Sequence, residues 1–140
     1  MVLTNPIIEQ ATVYDLDAML QNYDNKMDGI NEKHHFAPGV YAREVLLPAG
    51  SVVVGKTHKT KHLNIIASGH CTIHCMGKVF EVHGPYIFTS EIGAKKAVYS
   101  HTDVIWINIH LTDKTDVDEI EKDVIDGTAE LEFEQYKRLR

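Results

Sequence analysis

The sequence predicts a mainly β domain of the sandwich or jelly-roll type. From Val40 to His110 the chain is a succession of short β-like runs divided by turn residues. The segments Pro48-Ala-Gly50 and Met76-Gly77-Lys78 are typical tight turns, and the second favours a hairpin. Many short strands with tight turns in a span of this length favour a two-sheet sandwich or barrel. With 140 residues, 44% of them apolar, the chain is long enough to bury one core, so we expect a single domain.

Eight strands account for this β region. They are expected at 40–47, 51–55, 61–67, 70–76, 78–83, 85–89, 95–100 and 104–110. The last strand alternates one aliphatic set with one mixed set: Ile105, Ile107 and Ile109 against Trp106, Asn108 and His110. We expect the isoleucines in the core. The mixed face then lines a pocket, lies at a subunit interface or packs under the terminal helices.

The two ends of the chain predict helices rather than strands. Apolar spacing predicts a short helix at 12–22, followed by a polar loop over Asn22–Lys33 and a surface pair His34-His35. Near the other end, Thr115–Asp118 resembles the start of a helix, and Asp126–Thr128 is expected to end that helix. Residues 129–140 are expected to form a final helix. We therefore divide the domain into an N-terminal extension (1–36), a β-barrel (37–112) and a C-terminal helical extension (113–140).

Charge and apolar content exclude several classes of protein. A net charge of −6 and a pI near 5.8 argue against a general nucleic-acid or membrane-surface binder. No apolar run approaches the roughly 20 residues that span a bilayer, and no basic segment precedes an apolar stretch at the N-terminus. We expect a cytoplasmic protein without nucleic-acid or membrane partners.

The two cysteines are expected to be reduced. On one strand, Cys71 and Cys75 would lie roughly 13 Å apart at about 3.3 Å per residue, beyond the reach of a disulfide. Packing is their favoured role.

The strongest functional signal is a pair of histidines, His58 and His62, between two apolar runs. Neutral imidazoles are good ligands for divalent transition metals, provided that the chain bends between the two residues. A third ligand could come from a neighbouring strand, and the candidates are His74, His101, His110, Tyr99 and Glu81. The alternative is two partly buried histidines whose nitrogens are satisfied by carbonyls or carboxylates.

The frame around this pair matches a known pattern. The run Gly50-x5-Lys56-x-His58-x3-His62-x6-Gly69 resembles the first motif of the cupin superfamily, G-x5-H-x-H-x3-E-x6-G. Lys56 stands where that family has its first histidine, and His62 where it has glutamate.

The second cupin motif, G-x5-P-x-G-x2-H-x3-N, is echoed more faintly. Its traces are Gly84, Gly93, Lys96 and Ser100, with Glu91 in the place of proline and one extra residue after Gly84. Lys96 replaces the last metal-ligand histidine. The resemblance implies an RmlC-like jelly-roll barrel, a fold that commonly pairs through its sheets into a homodimer. Together with the helices expected at both ends, this predicts a cupin-like jelly roll with short terminal helices.

A narrower resemblance covers about residues 40–115. The segments that carry it are Tyr41-Ala-Arg43, Leu47–Gly50, His58–Asn64, Gly93–Lys96, Tyr99–Asp103 and Val104–His110. They are similar to small cupin-like proteins encoded by tailed bacteriophages, a group for which the resemblance implies no general activity. It implies residence in the host cytoplasm or association with the virion.

Lysines suggest what the pocket binds. If the motif alignment holds, five of them gather at one barrel mouth: Lys56, Lys59, Lys61, Lys95 and Lys96. Together with Asn64, we expect Lys56, Lys59 and Lys96 to bind an anionic small molecule such as a nucleotide, sugar nucleotide or organic acid. The alternative is that these lysines are solvated on an outer face.

Two functions follow from the whole pattern. The first is a small-molecule-binding cupin-like protein centred on His58 and His62, with Zn, Fe, Ni or Mn as an optional metal. If it is an enzyme, the resemblance permits a metal-dependent lyase, isomerase or dioxygenase with Tyr99 or His101 as acid or base. The second is a noncatalytic phage accessory or structural module that binds a phage or host protein.

Overall fold

Two antiparallel sheets make up most of the molecule. The computed structural model describes residues 31–131. Its strands are β1 (Asn31–Ala37), β2 (Val40–Leu47), β3 (Val52–Val54), β4 (His62–Ser68), β5 (His70–Cys75), β6 (Lys78–His83), β7 (Tyr86–Ser90), β8 (Lys96–Ser100) and β9 (Val104–Leu111). The five-stranded sheet has the order β1-β2-β9-β4-β7, and the four-stranded sheet has the order β3-β8-β5-β6. The predicted mainly β, jelly-roll class is confirmed.

All eight predicted strands are present, and the structure adds a ninth. Strand β1 occupies the end of the segment predicted as a polar loop, and it begins inside the predicted N-terminal extension. Every residue of β1 is exposed, so it has no apolar alternation by which the sequence could reveal it. Pairing with β2 holds it instead, assisted by an ion pair between Arg43 and Glu32. The predicted helix at 12–22 lies outside the described residues.

The inner faces of the two sheets form the core. Its buried members are Leu47, Ile66, Cys71, Ile73, Val82, Val98, Val104 and Trp106. Both cysteines are free thiols, as predicted, and burial raises the pKa of the Cys71 thiol to about 11. Their role in the fold is packing.

Strand β9 faces the opposite way from the prediction. Trp106 and His110 are buried on the inner face, while the three isoleucines that alternate with them are half-buried on the outer face. The pairing with β4 fixes this orientation, because Ile66 lies opposite Trp106 and both face the core. Alternation shows that a strand has two faces, but only the partner strands decide which face is inside.

A glycine makes the tight connection between β4 and β5. Gly69 has a φ of +101°, and a Cβ added there would lie 2.2 Å from the backbone oxygen of Asp103 and 2.9 Å from Val104 Cα. Neither the conformation nor the space suits a side chain. This glycine therefore lets the β4–β5 turn lie against the connection between β8 and β9.

One complete helix, α1 (Val117–Val124), follows the last strand among the described residues. The side chain of Asp116 caps it by accepting hydrogen bonds from the backbone N–H groups of Asp118 and Glu119. Ile120 anchors the helix with 1% of its surface exposed. A second helical segment begins at 127 and continues to 131, so most of the predicted helix 129–140 lies outside the described residues. No helix in residues 31–131 has the length and apolar character needed to cross a bilayer.

Candidate functional site

A cavity of about 410 Å³ lies between the sheets, with α1 at one side. Its apolar lining includes Val45, Leu47, Val53, Val98, Trp106 and Ile120. Its polar lining comprises Glu32, Tyr41, Arg43, Lys56, His58, Lys96, Asn108, His110 and Glu121. An apolar cleft with a few convergent polar groups is the usual form of a small-molecule site.

Three histidines meet beside this cavity, and we call them the inner histidine cluster: His58, His62 and His110. The ring centroids of His58 and His62 are 4.4 Å apart, and that of His110 lies 4.8 Å from His62 and 5.8 Å from His58. His58 precedes β4, and its backbone forms an isolated bridge with Ile125. The chain bends between His58 and the start of β4, as the predicted site requires. His110, one of five predicted candidates for the third ligand, is the one that joins the pair.

The inner histidine cluster contains neutral imidazoles at neutral pH. Burial, reinforced by neighbouring positive charge, lowers the pKa of His58 to about 3 and that of His110 to about 4. Burial also lowers the pKa of His62. His62 Nδ1 lies 3.2 Å from the Thr60 carbonyl oxygen, but His62 Nε2 and His58 Nδ1 are buried without hydrogen-bond partners. An unsatisfied buried nitrogen costs free energy, so each is a place where a ligand could stabilise the site.

Lys96 supplies the charge of the cavity. The residue is 92% buried, and burial lowers the pKa of its ammonium group to about 8, although the Cys75 thiol opposes this shift. No carboxylate within residues 31–131 forms an ion pair with it. At pH 7 most Lys96 side chains still carry a proton. The cavity therefore holds a buried ammonium group without a counter-charge from the described part of the chain.

Charges at the rim of the cavity are neutralised in pairs. Arg43 binds Glu32, and Lys56 binds Glu121 on α1. All four side chains are between 35% and 59% exposed, so each pair is worth little in stability. The contrast with Lys96 locates the unbalanced charge inside the cavity rather than at its rim.

Only two of the five predicted lysines line the cavity, Lys56 and Lys96. The other three lie elsewhere. Lys61 forms an exposed pair with Glu91, and Lys95 is buried against Glu130 at 3.2 Å. Lys59 is exposed, and its backbone N–H donates a hydrogen bond to the Val124 carbonyl. The prediction that all five gather at one mouth is wrong. Lys95 and Lys96 are neighbours at the start of β8, where successive side chains point to opposite faces. Lys59 and Lys61 lie in the bent connection between His58 and β4.

Asn64 has a structural position rather than one on the cavity lining. It is fully buried, donates to Ser90 Oγ at 2.7 Å and accepts from Trp106 Nε1 at 3.2 Å. Its polar atoms are thus occupied by the protein, and its contact orients the tryptophan at the cavity wall.

Tyr99 and His101, the predicted acid or base, are not brought together with the inner histidine cluster. Lys96 and Val98 of β8 face the cavity, so Tyr99 points from the opposite face of the sheet. His101 lies there too, with Nε2 2.7 Å from Thr72 Oγ1. The motif alignment places Tyr99 and His101 close in sequence to the cavity residue Lys96. It does not specify which face of the sheet their side chains lie on.

The inner histidine cluster fits a divalent transition metal in donor chemistry. Three neutral imidazoles are a known ligand set for Zn²⁺, and two of their nitrogens are unpartnered. Two features oppose a metal. No choice of one nitrogen from each ring brings all three nitrogens within 4.8 Å of one another. In addition, the nearby Lys96 ammonium repels a cation. Metal binding thus requires ring movement and favours the neutral form of Lys96.

Comparison with solved structures shows the fold. The chain is similar to a cupin superfamily protein from Desulfitobacterium hafniense, with 13% identity, a TM-score of 0.52, and coverage of 69% of this chain and 87% of that one. It is also similar to KdgF from a Halomonas species, with 15% identity, a TM-score of 0.54, and coverage of 70% and 90%. The formate complex of oxalate decarboxylase from Lactobacillus farciminis gives 11% identity, a TM-score of 0.54, and coverage of 69% and 32%.

These likenesses identify cupin superfamily proteins as structural neighbours of this chain. At such identities they show a shared fold only. No protein-family model matches the sequence, and no curated protein matches it.

Proposed function

We propose that this cupin-like chain binds a small organic acid in the cavity between its sheets, with Lys96 as the counter-charge. The unpaired, buried ammonium of Lys96 is the observation that supports the proposal. A buried charge is costly unless it is paired, so a carboxylate at this point would relieve the cost. The neutral rings of His58 and His110 can donate hydrogen bonds to the same carboxylate.

The cavity also indicates the kind of acid. A volume of about 410 Å³ lies in the range of small-molecule sites, so there is room for more than a carboxylate group. Val98 and Trp106 give part of the wall an apolar character, which suits a carbon skeleton. Formate is bound in the oxalate decarboxylase neighbour, so another protein with this fold accommodates a small carboxylate.

Replacing Lys96 by Met should abolish this binding. Methionine keeps the apolar stem but removes the charge, so we expect the affinity for a responding carboxylic acid to fall at least tenfold. Such an acid is found by the rise in melting temperature across a series of carboxylic acids, each beside its uncharged primary amide. Isothermal titration then measures the affinity, with Lys61→Met as the matched exposed control. Equal affinity in parent and Lys96→Met would contradict the proposal.

The same ammonium predicts a pH dependence. Because the pKa of Lys96 is about 8, its charge is lost as the pH rises from 7 to 9. Affinity for the acid should fall across this interval, and the residual affinity of Lys96→Met should not. A parent affinity that stays constant from pH 7 to 9 would show that another group holds the anion.

A divalent metal held by His58, His62 and His110 is the second candidate, and the two unpartnered nitrogens favour it. The metal would act as a Lewis acid toward a bound oxygen, in the manner of other metal sites. Elemental analysis of untagged protein, purified without chelator, tests it. We expect the parent to hold one equivalent of metal more than the double variant His58→Ala/His62→Ala, and His110→Gln to lose most of that same equivalent. Metal content unchanged in both variants would show that these histidines bind no ion.

A further inference from the structure

A second group of metal-ligating side chains lies on the outer face of the four-stranded sheet. His70 on β5 is opposite His83 on β6, and Glu81 lies two residues before His83 on the same face. One potential ligand atom from each of these three residues lies within 4.8 Å of the other two. Among residues 31–131, no other group of three His, Cys, Asp or Glu side chains meets this spacing.

His70 is the centre of the group. Its Nε2 is buried, has no hydrogen-bond partner and lies 3.8 Å from Glu81 Oε2. Its ring stacks on that of His83 with centroids 4.0 Å apart. A buried nitrogen without a partner, beside a carboxylate and a second imidazole, is the arrangement that a bound cation would satisfy.

A third histidine holds His70 in place. The ring of His101 lies 4.2 Å from that of His70, and its own Nε2 is engaged with Thr72 Oγ1 at 2.7 Å. Tyr99 packs edge-on against His101 at 4.7 Å. His101 is thus a positioning residue for His70 rather than a ligand, and this gives the predicted pair Tyr99 and His101 a location in a different site.

We propose that His70, Glu81 and His83 form a binding site for Zn²⁺, which we call the outer metal site. Two imidazoles and one carboxylate are an established zinc ligand set that leaves the fourth position open. Nickel and copper accept the same donors, whereas Mg²⁺ and Ca²⁺ prefer oxygen ligands. The site is separate from the inner histidine cluster, because the sheet and its inward residues Cys71 and Val82 lie between them.

Coordination requires the ligand atoms to move closer and one ring to turn. With metal–ligand bonds of about 2.1 Å, tetrahedral ligands lie roughly 3.4 Å apart, whereas these atoms lie within 4.8 Å of one another. His83 must also turn out of its stack on His70, because the lone pair of an imidazole nitrogen lies in the plane of its ring. The Glu81 side chain is 60% exposed, and His83 is exposed as well. Both can change rotamer without disturbing the core, while the less exposed His70 keeps its position.

Zinc titration of the full chain tests the outer metal site. Protein stripped with a chelator is titrated calorimetrically with zinc chloride, beside His83→Gln, Glu81→Gln and His58→Gln. We expect each of the first two variants to lose at least tenfold in zinc affinity at one site, and His58→Gln to retain that site. If the inner histidine cluster also binds zinc, the parent shows two sites, and each set of variants removes a different one.

Cobalt substitution supplies a second readout that a merely structural role would not change. Co²⁺ in a four-coordinate site of nitrogen and oxygen ligands absorbs visible light strongly, and we expect this band to survive in His58→Gln and to disappear in His83→Gln. Because residues 81 and 83 are exposed, the metal-free melting temperatures of their variants should match that of the parent. Parent-like titrations and spectra in both His83→Gln and Glu81→Gln would overturn the inference.

Discussion

At the scale of single residues, glycines carry the resemblance to the cupin motifs more faithfully than the ligands do. Gly50, Gly69 and Gly93 all have positive φ, a conformation that side chains rarely adopt. Two of the four motif positions that hold metal ligands in the family carry lysine here, Lys56 and Lys96. Backbone geometry explains why the glycine frame predicted the fold while leaving the chemistry of the pocket open.

Gly69 offers the sharpest test of this explanation. Gly69→Ala adds a Cβ at 2.2 Å from the Asp103 oxygen on top of an unfavourable φ, so the free energy of unfolding should fall by several kcal/mol. Gly77→Ala is the matched control, since Gly77 has a φ of +76° but no atom within 4 Å of the added Cβ. There we expect a loss of about 1–2 kcal/mol from conformation alone. Urea unfolding of both variants measures the difference, and equal losses would rule out the steric contribution of Asp103.

At the scale of elements, the outer face of the five-stranded sheet is more apolar than the sequence predicted. The isoleucines of β9 share this face with Leu63 on β4 and Ile87 on β7, which are 45% and 63% exposed. An exposed apolar surface of this kind is typical of protein–protein contacts. It is the surface through which we expect the predicted homodimer to form.

Ile87→Glu should separate such a dimer into monomers. The substitution adds a charge at an exposed position, so the fold is retained while the paired face becomes unfavourable to bury. Val79→Glu, at a 42% exposed position on the outer face of the other sheet, is the control and should leave the dimer intact. Sedimentation equilibrium gives the mass. A monomeric parent would contradict the predicted dimer. If Ile87→Glu is still a dimer, the subunits pair through a different surface.

At the scale of the whole molecule, buried imidazoles make stability depend on pH. The pKa values of His58 and His110 in the folded state are about 3 and 4, below the usual value of 6.5 for an exposed histidine. Between the folded and unfolded pKa values, the unfolded chain binds more protons than the folded chain does. The free energy of unfolding therefore falls as the pH falls below 6.5. Lys96 acts at the other end: with a folded pKa of about 8 against 10.5, it makes stability rise as the pH increases between those values.

A histidine variant isolates this effect from the titration of carboxylates. His110→Gln cannot take up a proton, so its stability should decline less steeply than that of the parent between pH 6.5 and 4. Between pH 7 and about pH 5 the parent should lose up to about 2 kcal/mol more of its free energy of unfolding than the variant. Denaturant unfolding at a series of pH values measures it. Parallel curves for parent and variant would mean that His110 protonates freely in the folded state.

Several features of the site could be predicted from the sequence because they are local. The spacing of His58 and His62 can be read directly from the sequence. So can the motif pattern that places Lys56 and Lys96 at ligand positions of the cupin motifs. The faces of β8 and β9 are not, because they depend on partner strands. For that reason Trp106 proved to be inside, and Tyr99 proved to be across the sheet from the cavity.

The placement of Trp106 has a practical consequence. It is the sole tryptophan of the chain, it lines the cavity, and its indole N–H is fixed by Asn64 and Asn108. Intrinsic fluorescence excited at the indole band therefore comes from the wall of the cavity itself. An acid entering there should shift the emission, whereas zinc at the outer metal site should leave it unchanged. The molecule thus contains its own optical probe for telling the two sites apart.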